Sequence, residues 1–190
     1  MLRSTSRRPQ FSAMLLAVLL SLAHITSAWG QDNPTVEYQV KAAFLYNFAK
    51  FVEWPPDAFP NEKSPITFCV FGLDPFGKAL DEALQGKTIN NREFLVRRVN
   101  ELPALKACHL VFVSDTENKR LSEILKSLQG SSALVVGESE GFAANGGAIQ
   151  FFLEDKKLRF SFNVDAVQRT RLKVSSKLLA LAKIVHDVSR

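Results

Sequence analysis

Residues 65–77 read PITFCVFGLDPFG, and this stretch decides the fold class. Its apolar run, Ile66–Phe71, is rich in β-branched and aromatic residues, which predicts a buried strand. The turn that follows offers Asp74 as a helix N-cap with a proline in the first helical position, so a helix is predicted to run from there to about Gln85. A strand that leads directly into a helix is the unit from which parallel sheets are built.

The same alternation of strand and helix continues along the chain. Further strands are predicted at residues 92–99, 108–113 and 133–136, and a further helix at residues 117–128. Residues 148–153 and 158–163 flank the charged turn EDKK, which predicts a β-hairpin. The sequence therefore predicts one α/β domain over residues 31–190, with a mostly parallel sheet, a C-terminal antiparallel hairpin and flanking helices.

Residues 36–54 are predicted to form a helix that is apolar on nearly all sides and ends before two prolines. Val36, Val40 and Phe44 form one stripe, and further aromatic residues extend the apolar surface. Such a helix is usually covered on more than one side, so its second cover is either the rest of this domain or another chain. The aromatic side chains predicted to contact a partner or ligand are Phe44, Phe48, Phe51 and Trp54.

Residues 174–185 are predicted to form the last helix. The apolar positions with helical spacing are Val174, Leu178, Leu181 and Val185. The basic positions with the same spacing are Arg169, Lys173 and Lys177. Like charges at this spacing cost a few tenths of a kcal/mol per pair, which an acidic partner, an anion or carboxylates elsewhere in the fold would offset. A solvated face is the simpler account, and Arg171 and Lys177 are predicted as candidate contacts.

The first thirty residues, 1–30, predict a secretory signal peptide. Three arginines precede a leucine-rich run that is too short to span a bilayer, and small residues follow it. Cleavage is predicted after Ala28 or Gly30; a twin-arginine signal and an uncleaved anchor are the weaker alternatives. The remaining chain carries a formal charge of +2, which does not favour nucleic-acid binding. The leader predicts that the chain is exported.

The chain has two cysteines, Cys69 and Cys108, and both follow the leader. In an oxidising compartment they predict a disulfide bond, with two buried free thiols as the alternative. A bridge across a loop of this length stabilises the fold by about 3–4 kcal/mol in the chain-entropy model. No metal site is predicted, because no second close pair of ligands accompanies Cys108 and His109.

The sequence contains no arrangement of residues that indicates catalysis or a bound cofactor. His109 begins an apolar strand and is predicted to be a core residue, whereas His186 is predicted near the end of the last helix, where a cation suits the dipole. The loop at residues 137–147, GESEGFAANGG, can approach a ligand closely, but it lacks a phosphate-binding pattern and is more simply a connector. Its candidate contact residues are Gly141, Phe142, Gly146 and Gly147.

Several segments of the chain resemble the YfiR family. They are KAAFLYNFAKFVEWP at residues 41–55, FGLDPFG at 71–77, CHLVFV at 108–113, the pairs Gly141-Phe142 and Gly146-Gly147, and LKVSSKLL at 172–179. The resemblance extends from about Val36 to Lys183, and its first segment is long and specific. The chain is therefore identified as a member of this family.

The resemblance implies an exported, single-domain α/β protein that regulates by binding and is not an enzyme. The founding member holds an inner-membrane diguanylate cyclase of the YfiN type inactive by contacting its periplasmic portion. An outer-membrane lipoprotein relieves this inhibition, and dimers are a feature of the system. Relatives also occur with other membrane sensors, including histidine kinases.

The cysteines support the resemblance only in part. Cys69 and Cys108 match the positions of a family disulfide, but the second cysteine pair of the founding member, near residues 141–144, has no counterpart here. Redox control through a second bridge is therefore not expected.

The resemblance therefore implies a periplasmic repressor of cyclic-di-GMP signalling that forms a homodimer. The alternative is a periplasmic small-molecule sensor that acts on a histidine kinase or another membrane sensor, with its ligand near the glycine-rich loop. An enzyme is a third possibility, and it requires titratable groups that converge in a pocket.

Overall fold

An eight-stranded sheet forms the centre of the fold in the computed structural model, which describes residues 34–188. The predicted signal peptide, residues 1–30, lies outside the described residues. The helices are α1 (Pro34–Lys50), α2 (Ala79–Leu84), α3 (Leu121–Ser127), α4 (Val164–Gln168) and α5 (Ser176–Leu179). The strands are β1 (Val52–Glu53), β2 (Ile66–Phe71), β3 (Thr88–Ile89), β4 (Arg92–Val99), β5 (Leu110–Val113), β6 (Leu134–Gly137), β7 (Ile149–Glu154), β8 (Lys157–Asn163), β9 (Lys173–Val174) and β10 (Lys183–Val185). Short 3₁₀ helices lie at Pro56–Ala58, Leu102–Ala107 and Asp115–Arg120.

The order of strands across the sheet is β10-β8-β7-β6-β5-β2-β4-β3. The run from β4 through β2, β5 and β6 to β7 is parallel. β8 pairs antiparallel to β7, as the hairpin pattern predicts, and β10 runs parallel to β8. β1 and β9 form a separate two-stranded antiparallel sheet. The predicted fold class is confirmed.

The buried strands separate two apolar layers, because successive side chains of a strand point to opposite faces of the sheet. Along β2, Phe68 and Val70 join the layer that contains α1 and α2, whereas Cys69 and Phe71 join the layer that contains α3. All six residues of β2 are buried. Coverage on both faces explains why this strand is a continuous apolar run rather than an alternating one.

The Cys69–Cys108 disulfide lies in the layer on the α3 side of the sheet. Both cysteines are buried, and their Cα atoms are 5.9 Å apart. The bond ties β2 to the residues that lead into β5, its neighbour in the sheet. The predicted disulfide is therefore present in the structure.

Three predicted helices begin or end at other residues than the sequence indicated. α1 ends at Lys50, not at residue 54, because β1 pairs with β9 and the Phe51 carbonyl accepts a hydrogen bond from Ser175 N. The Asp74 side chain accepts from Phe76 N and so caps a turn, and α2 begins at Ala79. The residues before α3 form a 3₁₀ helix.

The predicted helix over residues 174–185 is wrong. This region consists of β9, the four-residue helix α5 and β10. The Ser175 side chain accepts from Lys177 N and starts α5, and β-branched residues favour the flanking strands. The like-charge ladder of Arg169, Lys173 and Lys177 therefore does not exist, and His186 follows a strand instead of ending a helix.

Candidate functional site

The aromatic side of α1 is covered by the hairpin of β7 and β8. Phe48 packs on Phe151 and Phe160, with ring centroids 5.5 and 4.9 Å apart. Phe44 meets the same two rings edge-on at 6.0 Å. The rest of the domain thus supplies the second cover of this part of α1. Phe48 is fully buried and belongs to the core, whereas Phe44 is half-buried at the edge of the core.

The two other aromatic candidates also pack against the core. Phe51 is half-buried at the end of α1. Trp54 is half-buried as well, and its indole Nε1–H donates to the His109 carbonyl at 3.1 Å. Both side chains keep some exposed surface, so their contact with a partner stays a prediction.

His109 is a buried residue held by two hydrogen bonds. Its Nδ1 atom accepts from Thr67 N at 3.0 Å, so the ring proton lies on Nε2, which donates to the Ala58 carbonyl at 3.1 Å. The ring stacks on Phe59, with centroids 4.4 Å apart. Burial lowers the pKa of His109, and the nearby Arg92 acts in the same direction. The neutral ring therefore has a structural role, as the sequence indicated.

Protonation of His109 is expected to destabilise the fold, because Thr67 N–H would then face a second N–H. The pKa of His109 is about 6.5 in the unfolded chain and lower in the folded one. The stability that the neutral ring contributes is therefore complete above about pH 6.5, and below that pH it is lost by about 1 kcal/mol per pH unit. Urea unfolding between pH 7.5 and 5 measures the slope. We expect His109→Gln to reduce this slope, and equal slopes in the wild type and the variant would contradict the prediction.

The N-terminal half of the α1 stripe extends beyond the aromatic cover. Val36 and Val40 precede Phe44 on the same helical face and are 53% and 40% exposed. Leu153 follows Phe151 on the same face of β7 and is 59% exposed. Its partner in register, Leu158, is half-buried. Apolar side chains therefore remain uncovered at one end of the helix–hairpin contact.

A groove of about 540 Å³ lies beside Leu153 and Leu158. We call it the α1–hairpin groove. It is lined by Glu37, Tyr38, Lys41, Asp115, Glu138, Ser139, Glu140, Gln150, Phe151, Phe152, Leu153 and Leu158.

One wall of the α1–hairpin groove is a buried ion cluster. Lys41 Nζ lies 2.5 Å from a carboxylate oxygen of Glu37 and 2.5 Å from one of Glu138. The Tyr38 hydroxyl donates to Glu138 at 3.0 Å. Burial and the neighbouring carboxylates raise the pKa of the Tyr38 phenol. The cluster joins α1 to the residue that directly follows β6.

The groove carries more negative than positive charge. The carboxylates of Glu37, Glu138, Asp115 and Glu140 line it, and Lys41 is its one lysine or arginine among the described residues. Asp115 accepts a hydrogen bond from Ser139, and Glu140 is exposed. The groove therefore combines uncovered apolar side chains with uncompensated carboxylates, which suits a partner surface that is apolar and basic.

The glycine-rich loop connects β6 to the hairpin, as the sequence indicated, and is built around a buried ring. Phe142 is fully buried between Gly137 and Gly147. A Cβ atom on Gly137 would lie 2.4 Å from Cε2 of the Phe142 ring, and a Cβ atom on Gly147 would lie 2.1 Å from Cε1 on the same ring. These glycines are required for packing, and the predicted contact residue Phe142 belongs to the core.

A second cavity, of about 520 Å³, lies on the outer side of this loop, and we call it the loop cavity. Its apolar lining comes from Leu125, Leu128, Ala133, Val135, Ala148 and Ala166. Its polar and charged lining includes Lys126, Asn145, Gly146, Arg169 and Asp187. Of the predicted loop residues, Gly146 lines this cavity, whereas Gly141 is held by the Asn145 side chain, which donates to its carbonyl.

The two basic candidates lie on the surface. Arg171 forms an exposed ion pair with Asp57 at 2.6 Å, and Lys177 is exposed in α5. Among residues 34–188, no group of His, Cys, Asp and Glu side chains is arranged to hold a metal ion. Within the same residues, no helix has the length and apolar character needed to cross a membrane.

The sequence was compared with models of known protein families. The model described as YfiR/HmsC-like matches residues 38–183. The chain belongs to this family. Membership of the YfiR/HmsC-like family supports, at the level of the family, a periplasmic regulator of diguanylate cyclase signalling without catalytic activity of its own.

The YfiR/HmsC-like match includes most of the features described above. The disulfide, the loop around Phe142 and most of the α1–hairpin groove lie within the matched residues. Val36 lies just before the match, and Asp187 and Val188 lie after it. The α1–hairpin groove and the loop cavity were not identified from the sequence, because their lining residues come from distant segments.

Proposed function

We propose that this chain is an exported regulator that binds and represses the periplasmic part of an inner-membrane diguanylate cyclase. The observation that carries the proposal is the α1–hairpin groove in a chain of the YfiR/HmsC-like family. The uncovered Leu153 side chain supplies apolar contact, and the surrounding carboxylates favour basic residues on the partner. Phe44, whose ring packs on the groove residue Phe151, is proposed as a further contact.

Deletion of the gene tests the regulatory role. We expect a several-fold rise in cyclic-di-GMP and in biofilm formation, reversed by the wild-type gene on a plasmid. An unchanged nucleotide level would remove the cyclase from the proposal. Homodimer formation, and release by an outer-membrane lipoprotein, belong to the same proposal and are measured by light scattering and co-purification.

A charged substitution tests the docking surface directly. Leu153→Lys replaces an exposed apolar side chain of the groove by a cation that repels a basic partner, so we expect loss of co-purification with the cyclase and cyclic-di-GMP at the deletion level. Leu73→Lys is the matched control, because Leu73 is 71% exposed in the loop after β2. If Leu153→Lys folds, as judged by circular dichroism, and still represses, the groove is not the docking surface.

A second candidate is a small-molecule sensor that acts on a histidine kinase or another membrane sensor. The observation that favours it is the loop cavity, whose volume lies within the range of small-ligand sites. A ligand that binds only the folded protein raises its melting temperature, so thermal-shift screening is the first measurement.

A further inference from the structure

The loop cavity brings a cation and an apolar wall close to one point. That point is the position that a Cβ atom on Gly146 would occupy: Leu125 Cδ1 lies 3.0 Å from it, and Arg169 Nη2 lies 3.6 Å from it. Gly146 has a φ of +103°, so backbone conformation and Leu125 both oppose a side chain there. The exposed Lys126 adds a second cation to the lining. The cavity therefore suits a group with an apolar part and a negative charge.

The end of the described chain presents such a group to the cavity. Asp187 forms an ion pair with the Arg169 guanidinium and also accepts from the Asn163 side chain at 2.7 Å. The next residue, Val188, donates its N–H to the Ala144 carbonyl at 3.0 Å. Both residues line the cavity, and Val188 is 62% exposed. A carboxylate and an adjacent apolar side chain thus already lie at the mouth.

We propose that the loop cavity binds the apolar C-terminal residue of a peptide through the Arg169 guanidinium, and that the Asp187 carboxylate is an internal competitor for this group. The proposal names a ligand class for the sensor role given above as the second candidate. It does not depend on contact with a cyclase, because the α1–hairpin groove shares no lining residue with this cavity.

The chemistry of Arg169 supports a carboxylate ligand. A guanidinium has five N–H donors in a planar fork that matches both oxygens of a carboxylate. Arg169 uses Nη1 and Nη2 on Asp187 and is about half exposed. The Arg169–Asp187 pair is partly exposed and therefore screened by solvent, so an incoming carboxylate replaces Asp187 on the guanidinium while Asp187 keeps its hydrogen bond from Asn163. The apolar lining then receives the ligand's last side chain, whereas Val188 stays largely in solvent.

Calorimetric titration of the purified protein tests the ligand class. The probes are a tetrapeptide that ends in valine with a free carboxylate, the same peptide as its C-terminal amide, and N-acetyl-leucine. We expect saturable binding of the free-acid peptide and at least tenfold weaker binding of the amide. Equal affinity for acid and amide, no binding, or binding of N-acetyl-leucine without the peptide would each overturn the proposal.

Two substitutions that break the same ion pair separate a binding role from a structural one. Arg169→Gln removes the cation, so we expect about tenfold weaker binding or more. Asp187→Asn removes the competitor and leaves the cation, so we expect binding about two- to fivefold tighter. Arg171→Gln, which breaks the Arg171–Asp57 pair outside the cavity, is the control and is expected to leave binding unchanged.

The outcome is decided by the direction of the two effects. If Arg169→Gln and Asp187→Asn change affinity in the same direction, the ion pair only holds the end of the chain and the proposal fails. Failure here leaves the cyclase assays interpretable, because they depend on substitutions in a different part of the surface. If Arg169→Gln and Asp187→Asn change the peptide affinity but repress the cyclase as the wild type does, the loop cavity and the α1–hairpin groove act as separate sites.

Discussion

Replacement of Gly147 by alanine is expected to lower the free energy of unfolding by about 3–5 kcal/mol. The new Cβ atom would lie 2.1 Å from Cε1 of Phe142, so the buried ring must leave its slot. Displacing a buried phenylalanine costs about as much as removing it. Gly147 does not have a positive φ, so steric contact and not backbone strain causes the loss. Urea denaturation at pH 7 measures the change.

A double-mutant cycle with Phe142→Leu provides the control. In the leucine background the ring is absent, and we expect Gly147→Ala to cost at least 1 kcal/mol less than in the wild type, which is within the usual range of coupling between touching residues. Gly130→Ala serves as a comparison, because no atom of a non-neighbouring residue lies within 4 Å of its Cβ position. Any stability lost in that variant comes from the φ of +76° and not from a steric contact. Additive costs in the cycle would show that Phe142 does not explain the need for Gly147.

Replacement of Lys41 by methionine is expected to lower the free energy of unfolding by about 3 kcal/mol or more. Methionine fills a similar volume, but it leaves the Glu138 carboxylate largely buried with the Tyr38 hydroxyl as its remaining partner. Removing one partner of a buried ion pair costs more than the pair contributes, because the other charge stays without compensation. Urea denaturation at pH 7 measures this change as well.

Neutralising Glu138 tests the cause of that loss. We expect the double variant Lys41→Met/Glu138→Gln to recover at least half of the stability that Lys41→Met loses, because the Glu138 charge is then no longer buried without a partner. Arg159→Met removes an exposed pair with Glu154, whose atoms are 3.8 Å apart, and is expected to cost less than about 1 kcal/mol. A double variant as unstable as Lys41→Met would point to lost packing of the lysine stem instead.

The central sheet could be predicted because its signals are local. The strand β2 is a short apolar run between Pro65 and Gly72, and the hairpin has a polar turn between two apolar segments. The region over residues 174–185 was predicted incorrectly because its apolar residues have helical spacing in the sequence but do not lie on one face of a helix. Leu178 is buried, but Leu181, three residues later, is 71% exposed. The positions that the spacing combined belong to separate elements with different neighbours.

The sites could be predicted only in part, because they depend on contacts between distant residues. Lys41 and Glu138 are 97 positions apart, and no local pattern indicates that they meet. The glycine-rich loop was identified by composition, but the slot for Phe142 exists only because β6 and β7 are neighbours. The surplus of apolar residues on α1 was correctly read as a need for cover, and the hairpin supplies that cover for the aromatic half.

The pairing of α1 with the hairpin also affects how the exported chain folds. Phe44 and Phe151 are roughly one hundred residues apart in the sequence, so their contact closes a long loop. Contacts between segments this distant slow folding. Until the hairpin has formed, the aromatic rings of the first helix have no surface to pack against and stay open to aggregation.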